Sequence, residues 1–236
     1  MANFALKLAR YLKTYSELAL GQRPRTIEAV IDYCADSPIL ISQVRSEIVE
    51  LGRLLQELAP KRSLEIGTNY GGTLFLLCAL SPPNAEIISL DLPFGQFGGG
   101  YPSRKIPLYR QFPKNGQQLH LLRADSHAAE TKERVVAILG GAQLDYLFLD
   151  GDHTYDGVTR DFEMYAPLVR SGGIVAFHDI VTYDANSRCE VATFWNEIKN
   201  KYRHREFVEE TPPGSEPVAI TGSRMETAGL GVLYIT

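Results

Sequence analysis

The chain has 236 residues, of which 44% are apolar and 22% charged, and its formal net charge is −4. This length and composition predict a globular chain that can bury the core of an α/β domain. The weakly acidic charge disfavours nucleic acid as a partner. No apolar run approaches the ~20 residues of a membrane-spanning helix, so no membrane partner is expected. The three cysteines lie far apart and form no CxxC pair, which predicts a cytoplasmic location.

Residues 1–60 are predicted to be helical. Apolar side chains recur every three or four residues from Ile41 to Leu58, which is typical of an amphipathic helix. We expect this segment to cover the ligand site as a lid, to pair with a second copy of the chain in a homo-oligomer, or both. Residues 61–236 are predicted to form the main domain.

From Ser63 onward, short apolar runs alternate with helical patterns, which predicts right-handed βαβ units around a parallel sheet. The last two strands have no helical pattern between them, so we expect an antiparallel C-terminal hairpin strand at the sheet edge. The predicted fold class is α/β, with a Rossmann-like, doubly wound sheet of seven mostly parallel strands. The strands are predicted at residues 63–66, 86–91, 119–125, 144–150, 172–179, 205–210 and 230–235.

The connection over residues 92–117 is too long for an ordinary turn between a strand and the next element. It contains three consecutive glycines, Gly98 to Gly100, and several prolines. Loops of this length are usually lids or disordered segments, and here we favour a lid.

The first predicted strand and its loop read LEIGTNYGG (64–72). A strand, a glycine turn and a helix in this order commonly receive a nucleotide-like cofactor. The spacing is GxxxGG rather than the dinucleotide pattern GxGxxG, and Asn69 stands where a second glycine would let a pyrophosphate approach. Glu65 would also repel phosphate, whereas its carboxylate suits a cofactor that carries ammonium or sulfonium charge.

Acidic residues also stand at the ends of the next two strands. Asp91 ends the second strand, 20 residues after Gly71, where a carboxylate can hydrogen-bond ribose hydroxyls. Asp125 and Ser126 end the third strand and are placed to meet an adenine ring. Each feature alone has a structural explanation, since glycines can begin a helix and Asp91 can cap a loop. Together they predict a nucleoside cofactor.

Five segments, LEIGTNYGG, SLD, RADS, DYLFLDGDHTYDGVTRDF and LVRSGGIVAFHD, resemble the class I S-adenosylmethionine-dependent methyltransferases. The resemblance covers about residues 40–235. Within that class the second half is most similar to the metal-dependent O-methyltransferases. It is closest in motif to the macrolide-sugar (mycinamicin and macrocin) enzymes and the cephalosporin-hydroxylase-like group.

The resemblance implies S-adenosylmethionine as the cofactor and assigns its contacts. The glycine loop and Glu65 would hold the methionine part, Asp91 the ribose, and the residues after the third strand the adenine. The implied cofactor-binding residues are Glu65, Gly67, Thr68, Asn69, Tyr70, Gly71, Gly72, Asp91, Asp125, Ser126 and Asp150.

The stretch LFLDGDHTYD (147–156) places charged groups where a buried strand stops. Asp150 ends the fourth predicted strand and Asp179 ends the fifth, so their carboxylates lie within roughly 5–10 Å if the strands are neighbours. Two carboxylates that close repel unless a cation or a proton lies between them. We expect a divalent cation to bind between them. Mg²⁺ is the first choice because it prefers oxygen ligands such as carboxylates.

Two histidines adjoin these carboxylates. His153 is the predicted base that takes the proton of a substrate hydroxyl, and the matching histidine of the macrolide-sugar relatives plays that role. His178 stands where those relatives carry an acidic residue, so it is a metal ligand, a second base or a core histidine. A nitrogen ligand would favour Mn²⁺, Fe²⁺ or Zn²⁺. We assign the metal site to Asp150, His178 and Asp179.

Several residues near the site have plainer explanations. Asp152 is predicted to be a turn residue, and Asp156 is predicted to cap the following helix. His127 either packs near the adenine or lies in solvent.

The sequence therefore predicts a metal-assisted O-methyltransferase for a small hydroxylated molecule, such as a sugar, a phenol or a secondary metabolite. Two alternatives are kept open. A nicotinamide-dependent oxidoreductase is disfavoured by the missing GxGxxG pattern and by Glu65. A non-catalytic cofactor-binding scaffold is disfavoured by the set of Asp150, His153 and Asp179.

Overall fold

Helices and strands alternate along most of the chain in the computed structural model, which describes residues 2–212 and 214–236. The helices are α1 (Ala2–Ala19), α2 (Ile27–Ala35), α3 (Arg45–Leu58), α4 (Gly72–Leu80), α5 (Ile106–Tyr109), α6 (Ala129–Leu139), α7 (Tyr155–Tyr165) and α8 (Val191–Ile198). The strands are β1 (Arg62–Ile66), β2 (Glu86–Asp91), β3 (Gln118–Arg123), β4 (Leu144–Leu149), β5 (Val169–Thr182), β6 (Arg203–Phe207) and β7 (Thr227–Tyr234). Short 3₁₀ turns cover Ser103–Lys105, Ala166–Leu168 and Lys199–Lys201.

The strands form one seven-stranded sheet in the order β3-β2-β1-β4-β5-β7-β6. Strands β1 to β5 are parallel, and β7 runs antiparallel to both of its neighbours, β5 and β6. The predicted Rossmann-like, mostly parallel sheet with an antiparallel C-terminal strand is confirmed. The strand order reverses between β1 and β4, and ligands of such sheets bind beyond the carboxyl ends of the strands at this point.

Each face of the sheet carries its own hydrophobic cluster, because side chains alternate along a strand. On β4, Tyr146 and Phe148 pack on the side of α2, α3 and α4, whereas Leu147 and Leu149 pack on the side of α6, α7 and α8. Both faces are therefore covered by helices. This arrangement explains why the parallel strands are apolar almost throughout.

Most strands differ from the sequence prediction by one to three residues at an end. β3 ends at Arg123, so Asp125 and Ser126 lie in the loop after it rather than at its end, and β7 begins at Thr227 rather than at residue 230. β5 does not end at Asp179 but continues to Thr182, because Val181 and Thr182 pair with β7 after a register shift. Asp179 lies at that irregularity with a φ of 62°, a left-handed conformation that non-glycine residues rarely adopt. β6 spans 203–207 rather than 205–210, since its pairing with β7 stops at Phe207.

The connection over residues 92–117 is packed rather than extended into solvent. Its second half contains a 3₁₀ turn and α5 and buries Leu108, Tyr109 and Phe112 against α4 and its neighbours, and Tyr101 of the first half is buried in the same cluster. Only the first half, residues 92–102, lacks regular helix or strand.

The N-terminal helices share the core of the sheet domain. Val30 of α2 and Leu51 of α3 lie in the same cluster as Phe75 of α4. The buried Glu47 carboxylate of α3 accepts hydrogen bonds from the backbone N–H of Glu209 (3.0 Å) and of Gly229 (2.9 Å), which fastens α3 to the C-terminal strands.

No helix in the described part of the chain is both long enough and apolar enough to cross a membrane.

Candidate active site

A cavity of about 840 Å³ opens at the carboxyl ends of the parallel strands, where the strand order reverses. This volume is in the range of small-molecule sites. Most of the residues singled out in the sequence line it. They are Gly67, Thr68, Asn69, Tyr70, Asp91, Asp125, Ser126, Asp150, His153, His178 and Asp179.

The glycine loop begins where the backbone just after β1 packs closely against the backbone just after β4. The backbone N–H of Gly67 donates to Leu90 in β2, and that of Asp150 donates to Ile66 in β1, each at 2.9 Å. A Cβ on Gly67 would overlap the carbonyl oxygen of Asp150, and the φ of Gly67 is 92°. Only glycine therefore fits this position.

Three of the predicted cofactor residues, Glu65, Gly71 and Gly72, do not line the cavity. Glu65 is fully buried beneath the loop, where it accepts a hydrogen bond of 2.7 Å from the hydroxyl of Thr68. Burial raises the pKa of Glu65 to about 8. A Cβ on Gly71 would meet the ring of Tyr109, and one on Gly72 would meet backbone before α3. Their direct contact with a cofactor stays a prediction.

Asp91 connects the glycine loop with the 92–102 loop. Its Oδ2 accepts hydrogen bonds from the backbone N–H of Asn69 and of Tyr101, both at 2.9 Å. Burial raises the pKa of Asp91. The carboxylate thus lines the cavity and also holds the glycine loop and the 92–102 loop in place.

The loop after β3 forms another wall of the cavity. Asp125 and Ser126 lie beyond the strand, which ends at Arg123, and the hydroxyl of Tyr165 donates to the carbonyl of Ser126 at 2.7 Å. His127 lines the cavity and contacts the Asp161 carboxylate of α7 at 3.3 Å. The hydrogen bond with Asp161 raises the pKa of His127.

Two carboxylates and two imidazoles meet where β4 ends and where the pairing of β5 with β7 shifts register. His178 Nδ1 lies 3.2 Å from Asp150 Oδ1 and 3.3 Å from Asp179 Oδ1. His153 bridges the same carboxylates, with its Nδ1 3.2 Å from Asp179 Oδ2 and its Nε2 3.6 Å from Asp150 Oδ1. His178 and Asp179 are almost completely buried. The chain thus concentrates four ionisable groups where a core strand ends.

The carboxylates and imidazoles of this cluster shift one another's pKa. Burial alone would lower the pKa of His153 and His178, but the carboxylates of Asp150 and Asp179 outweigh it and raise both well above the ordinary range. Burial would likewise raise the pKa of the two carboxyls, but the imidazolium charges lower both. Without another cation, the two imidazoles hold the protons that neutralise the carboxylates.

The cluster has the composition of a metal site. One ligand atom each from Asp150, His178 and Asp179 lies within 4.8 Å of the others. Among the described residues, Asp179 Oδ1 and His178 Nε2 find no partner with hydrogen-bond geometry. A buried carboxylate oxygen without a donor is costly, and a bound cation would satisfy it.

Two further residues of the site carry no strand-end signal in the sequence. Gln43, just before α3, donates from Nε2 to Asp150 Oδ2 at 3.0 Å. The ring of Phe97, from the 92–102 loop, stacks on His153 with centroids 4.9 Å apart and planes 15° apart. Both reach the site through tertiary packing, so spacing along the chain does not reveal them.

The start of α7 corrects one prediction. Its N-cap is Thr154 rather than Asp156, because the helix begins at Tyr155 and the Thr154 hydroxyl accepts from the N–H of Gly157 at 3.0 Å. Asp152 is the predicted turn residue, since its carboxylate accepts from the N–H of Thr154 at 2.9 Å.

A comparison with known proteins gives the family that this sequence resembles. Residues 64–180 match the family described as Methyltransferase domain. A stretch of 129 residues is 29% identical to the uncharacterized protein y4gI of Sinorhizobium fredii, covering 53% of this chain and 14% of that protein. The chain spans less than a fifth of the length of the curated relatives it matches.

Solved structures share the fold at low sequence identity. An O-methyltransferase from Bacillus cereus in complex with SAH is 16% identical, with a TM-score of 0.57 over 91% of this chain and 92% of that one. TomG from Streptomyces achromogenes, an O-methyltransferase involved in tomaymycin synthesis and solved with SAM, is 19% identical, with a TM-score of 0.53 over 91% of each chain. The family match agrees with the class that the motifs predict: residues 64–180 form a methyltransferase domain.

Proposed function

We propose that this methyltransferase domain transfers a methyl group from S-adenosylmethionine to a hydroxyl oxygen of a small molecule, assisted by a divalent cation. One observation carries the proposal. The cluster of Asp150, His153, His178 and Asp179 lies in the same cavity as the glycine loop. A methyl donor bound at the loop would therefore lie in the same cavity as ionisable groups that can activate an acceptor hydroxyl.

The cofactor half of the cavity consists of the glycine loop and the ends of β2 and β3. Bound there, S-adenosylmethionine supplies an electrophilic methyl group on its sulfur. The Asp91 carboxylate is placed to accept hydrogen bonds from ribose hydroxyls, and Asp125 with Ser126 would border the adenine. Glu65 supports the loop from behind through Thr68 rather than from within the cavity.

The metal half consists of Asp150, His178 and Asp179. Their two carboxylates and one imidazole fit a divalent ion, and the unpartnered Asp179 Oδ1 supports this assignment. Such an ion supplies positive charge that binds a hydroxyl and lowers its pKa. Oxygen ligands fit Mg²⁺, and the nitrogen of His178 makes Mn²⁺ an equally good fit.

His153 is the proposed base. It lines the cavity, and its ring contacts both metal-binding carboxylates. A cation held by Asp150 and Asp179 would offset the carboxylate charge that favours a proton on His153, and the imidazole would then be free to accept the proton of a substrate hydroxyl. Gln43 keeps Asp150 oriented during this exchange.

The remaining predictions concern the role of the N-terminal segment, the oligomeric state and the location in the cell. Leu40, Ser42 and Gln43 line the cavity, which supports a covering role for the N-terminal segment. The first turns of α1 expose Phe4 and Leu8, and this apolar surface supports self-association. A cytoplasmic location also stays a prediction.

A methyl-transfer assay tests the proposal. The full chain is incubated with methyl-labelled S-adenosylmethionine and panels of sugars and phenols, with Mg²⁺ or Mn²⁺ or with a chelator. We expect labelled product that depends on the metal, and a loss of at least about 100-fold in turnover for His153→Ala. The control is His120→Ala, because His120 lies on β3 and contacts Glu86 instead of the cavity. Turnover that survives both chelation and His153→Ala would refute the metal and base assignments.

A further inference from the structure

A second group of metal-type ligands adjoins the proposed active site. Cys189 lies two residues before α8, and its Sγ, a ring nitrogen of His153 and a carboxylate oxygen of Asp179 all lie within 4.8 Å of one another. The methyl-transfer mechanism proposed above uses His153 and Asp179 but has no role for the thiol.

The ligand atoms are nearly in place for an ion. Tetrahedral Zn²⁺ with bonds of about 2.0–2.3 Å holds its ligand atoms ~3.3–3.8 Å apart. His153 Nδ1 and Asp179 Oδ2 are already 3.2 Å apart. Small side-chain movements would bring all three ligands to bonding distance.

Backbone contacts hold the cysteine next to the histidine. The N–H of Glu190 donates to the carbonyl of His153 at 2.7 Å, and the N–H of Tyr155 donates to the Glu190 carboxylate at 3.0 Å. The N–H of Cys189 itself donates to the hydroxyl of Ser187 at 3.2 Å. The turn that carries the thiol is therefore fastened to the turn that carries His153.

We propose that Cys189, His153 and Asp179 form a second cation site, which takes thiophilic divalent ions such as Zn²⁺. The Asp150 site offers two carboxylates and one imidazole but no sulfur, so it suits Mg²⁺ or Mn²⁺. The Cys189 site offers sulfur, nitrogen and oxygen, a set that hard ions disfavour and Zn²⁺ accepts.

The two sites compete because they share Asp179, and the Cys189 site also takes His153, the proposed base. An ion on Cys189 occupies a nitrogen of His153, which then cannot accept a substrate proton. This consequence rests on the proposed function. It makes Zn²⁺ an inhibitor of the methyl transfer that Mg²⁺ or Mn²⁺ supports.

Cobalt titration of the full chain tests the site without any assay of activity. Co²⁺ replaces Zn²⁺ in such sites, and a Co²⁺–thiolate bond gives a charge-transfer absorption in the near ultraviolet. We expect this band in the wild type and in Asp150→Asn, which leaves the three ligands intact, and its loss in Cys189→Ser. Zn²⁺ added afterwards should displace the band. Absence of the band from the wild type, or its persistence in Cys189→Ser, would overturn the proposal.

An inhibition measurement separates this proposal from the proposed function. Zn²⁺ should inhibit the wild type at concentrations at least about tenfold lower than it inhibits Cys189→Ser. A cobalt band without methyl transfer to any acceptor would contradict the proposed function and leave the site standing. Methyl transfer that is equally sensitive to Zn²⁺ in both proteins would contradict the second site alone.

Discussion

At the scale of single residues, the proposed metal site depends on side chains that do not themselves bind the ion. Gln43 is the clearest case, because its amide donates to the Asp150 oxygen that does not face His178. Partners of this kind orient a ligand and typically change metal affinity 10- to 100-fold when removed, as a rough guide.

Replacing Gln43 should therefore weaken metal binding. We expect Gln43→Ala to lower the affinity for Mn²⁺ by about tenfold or more, because Asp150 loses its only side-chain donor among the described residues outside the histidines. Calorimetric titration with Mn²⁺ measures the effect. Gln56→Ala is the matched control, since Gln56 is exposed on α3. Equal affinities for the two variants would show that Gln43 does not orient the ligand.

Glu65 makes stability depend on pH. Burial raises its pKa from the ordinary 4.5 to about 8, so between these values the folded state holds a proton that the unfolded state has released. The free energy of unfolding therefore falls as the pH rises through this window. Each unit of pKa difference corresponds to about 1.4 kcal/mol.

Glu65→Gln should abolish that decline, because an amide does not ionise and can still accept the Thr68 hydrogen bond. Urea unfolding of both proteins over a pH series measures the difference. We expect similar stability below pH 4.5, and a variant more stable than the wild type by several kcal/mol at pH 8. Parallel pH profiles would mean that Glu65 is ionised in the folded protein.

At the scale of elements, the junction of β1 and β4 sets the geometry of the site. Gly67→Ala would force a Cβ onto the Asp150 carbonyl and also place alanine at a φ of 92°. We expect a loss of roughly 3 kcal/mol or more in the free energy of unfolding. Gly21→Ala is the control, because its φ of 74° is similar but its Cβ would meet open space. An equal loss in both variants would show that the close approach of the strands is not the cause.

The 92–102 loop covers the proposed base. Phe97 stacks on His153, whereas Phe94 of the same loop is 94% exposed. Such a stack stabilises the covered position of the loop by about 0.5–1.5 kcal/mol. Its loss would increase the fraction of molecules in which the His153 ring is uncovered by up to about tenfold.

Phe97→Ala should therefore expose His153. We expect modification of His153 by diethyl pyrocarbonate, followed by mass spectrometry, to accelerate several-fold in Phe97→Ala and to stay unchanged in Phe94→Ala. If both variants react like the wild type, the loop does not act as a lid over His153.

At the scale of the whole molecule, the sequence predicts the sheet because both of its faces are covered, so each strand appears as a short apolar run between helical patterns. The strand-end residues lie in one cavity because the carboxyl ends of parallel strands meet at one edge. The extension of β5 to Thr182 was missed because pairing with β7 decides it. Gln43 and Cys189 were missed as site residues because tertiary packing alone brings Gln43 to Asp150 and Cys189 to His153 and Asp179.

The central claim is that the cavity at the β1–β4 junction binds an adenosyl cofactor, and calorimetric titration of the full chain with S-adenosylhomocysteine tests it most directly. We expect saturable binding that weakens at least about tenfold in Asp91→Ala, since loss of a hydrogen bond to a carboxylate costs about 1.5–3 kcal/mol. NAD should give no heat of binding, because the GxxxGG loop lacks the second glycine that a pyrophosphate needs. Binding of NAD, or no binding of S-adenosylhomocysteine, would contradict the account.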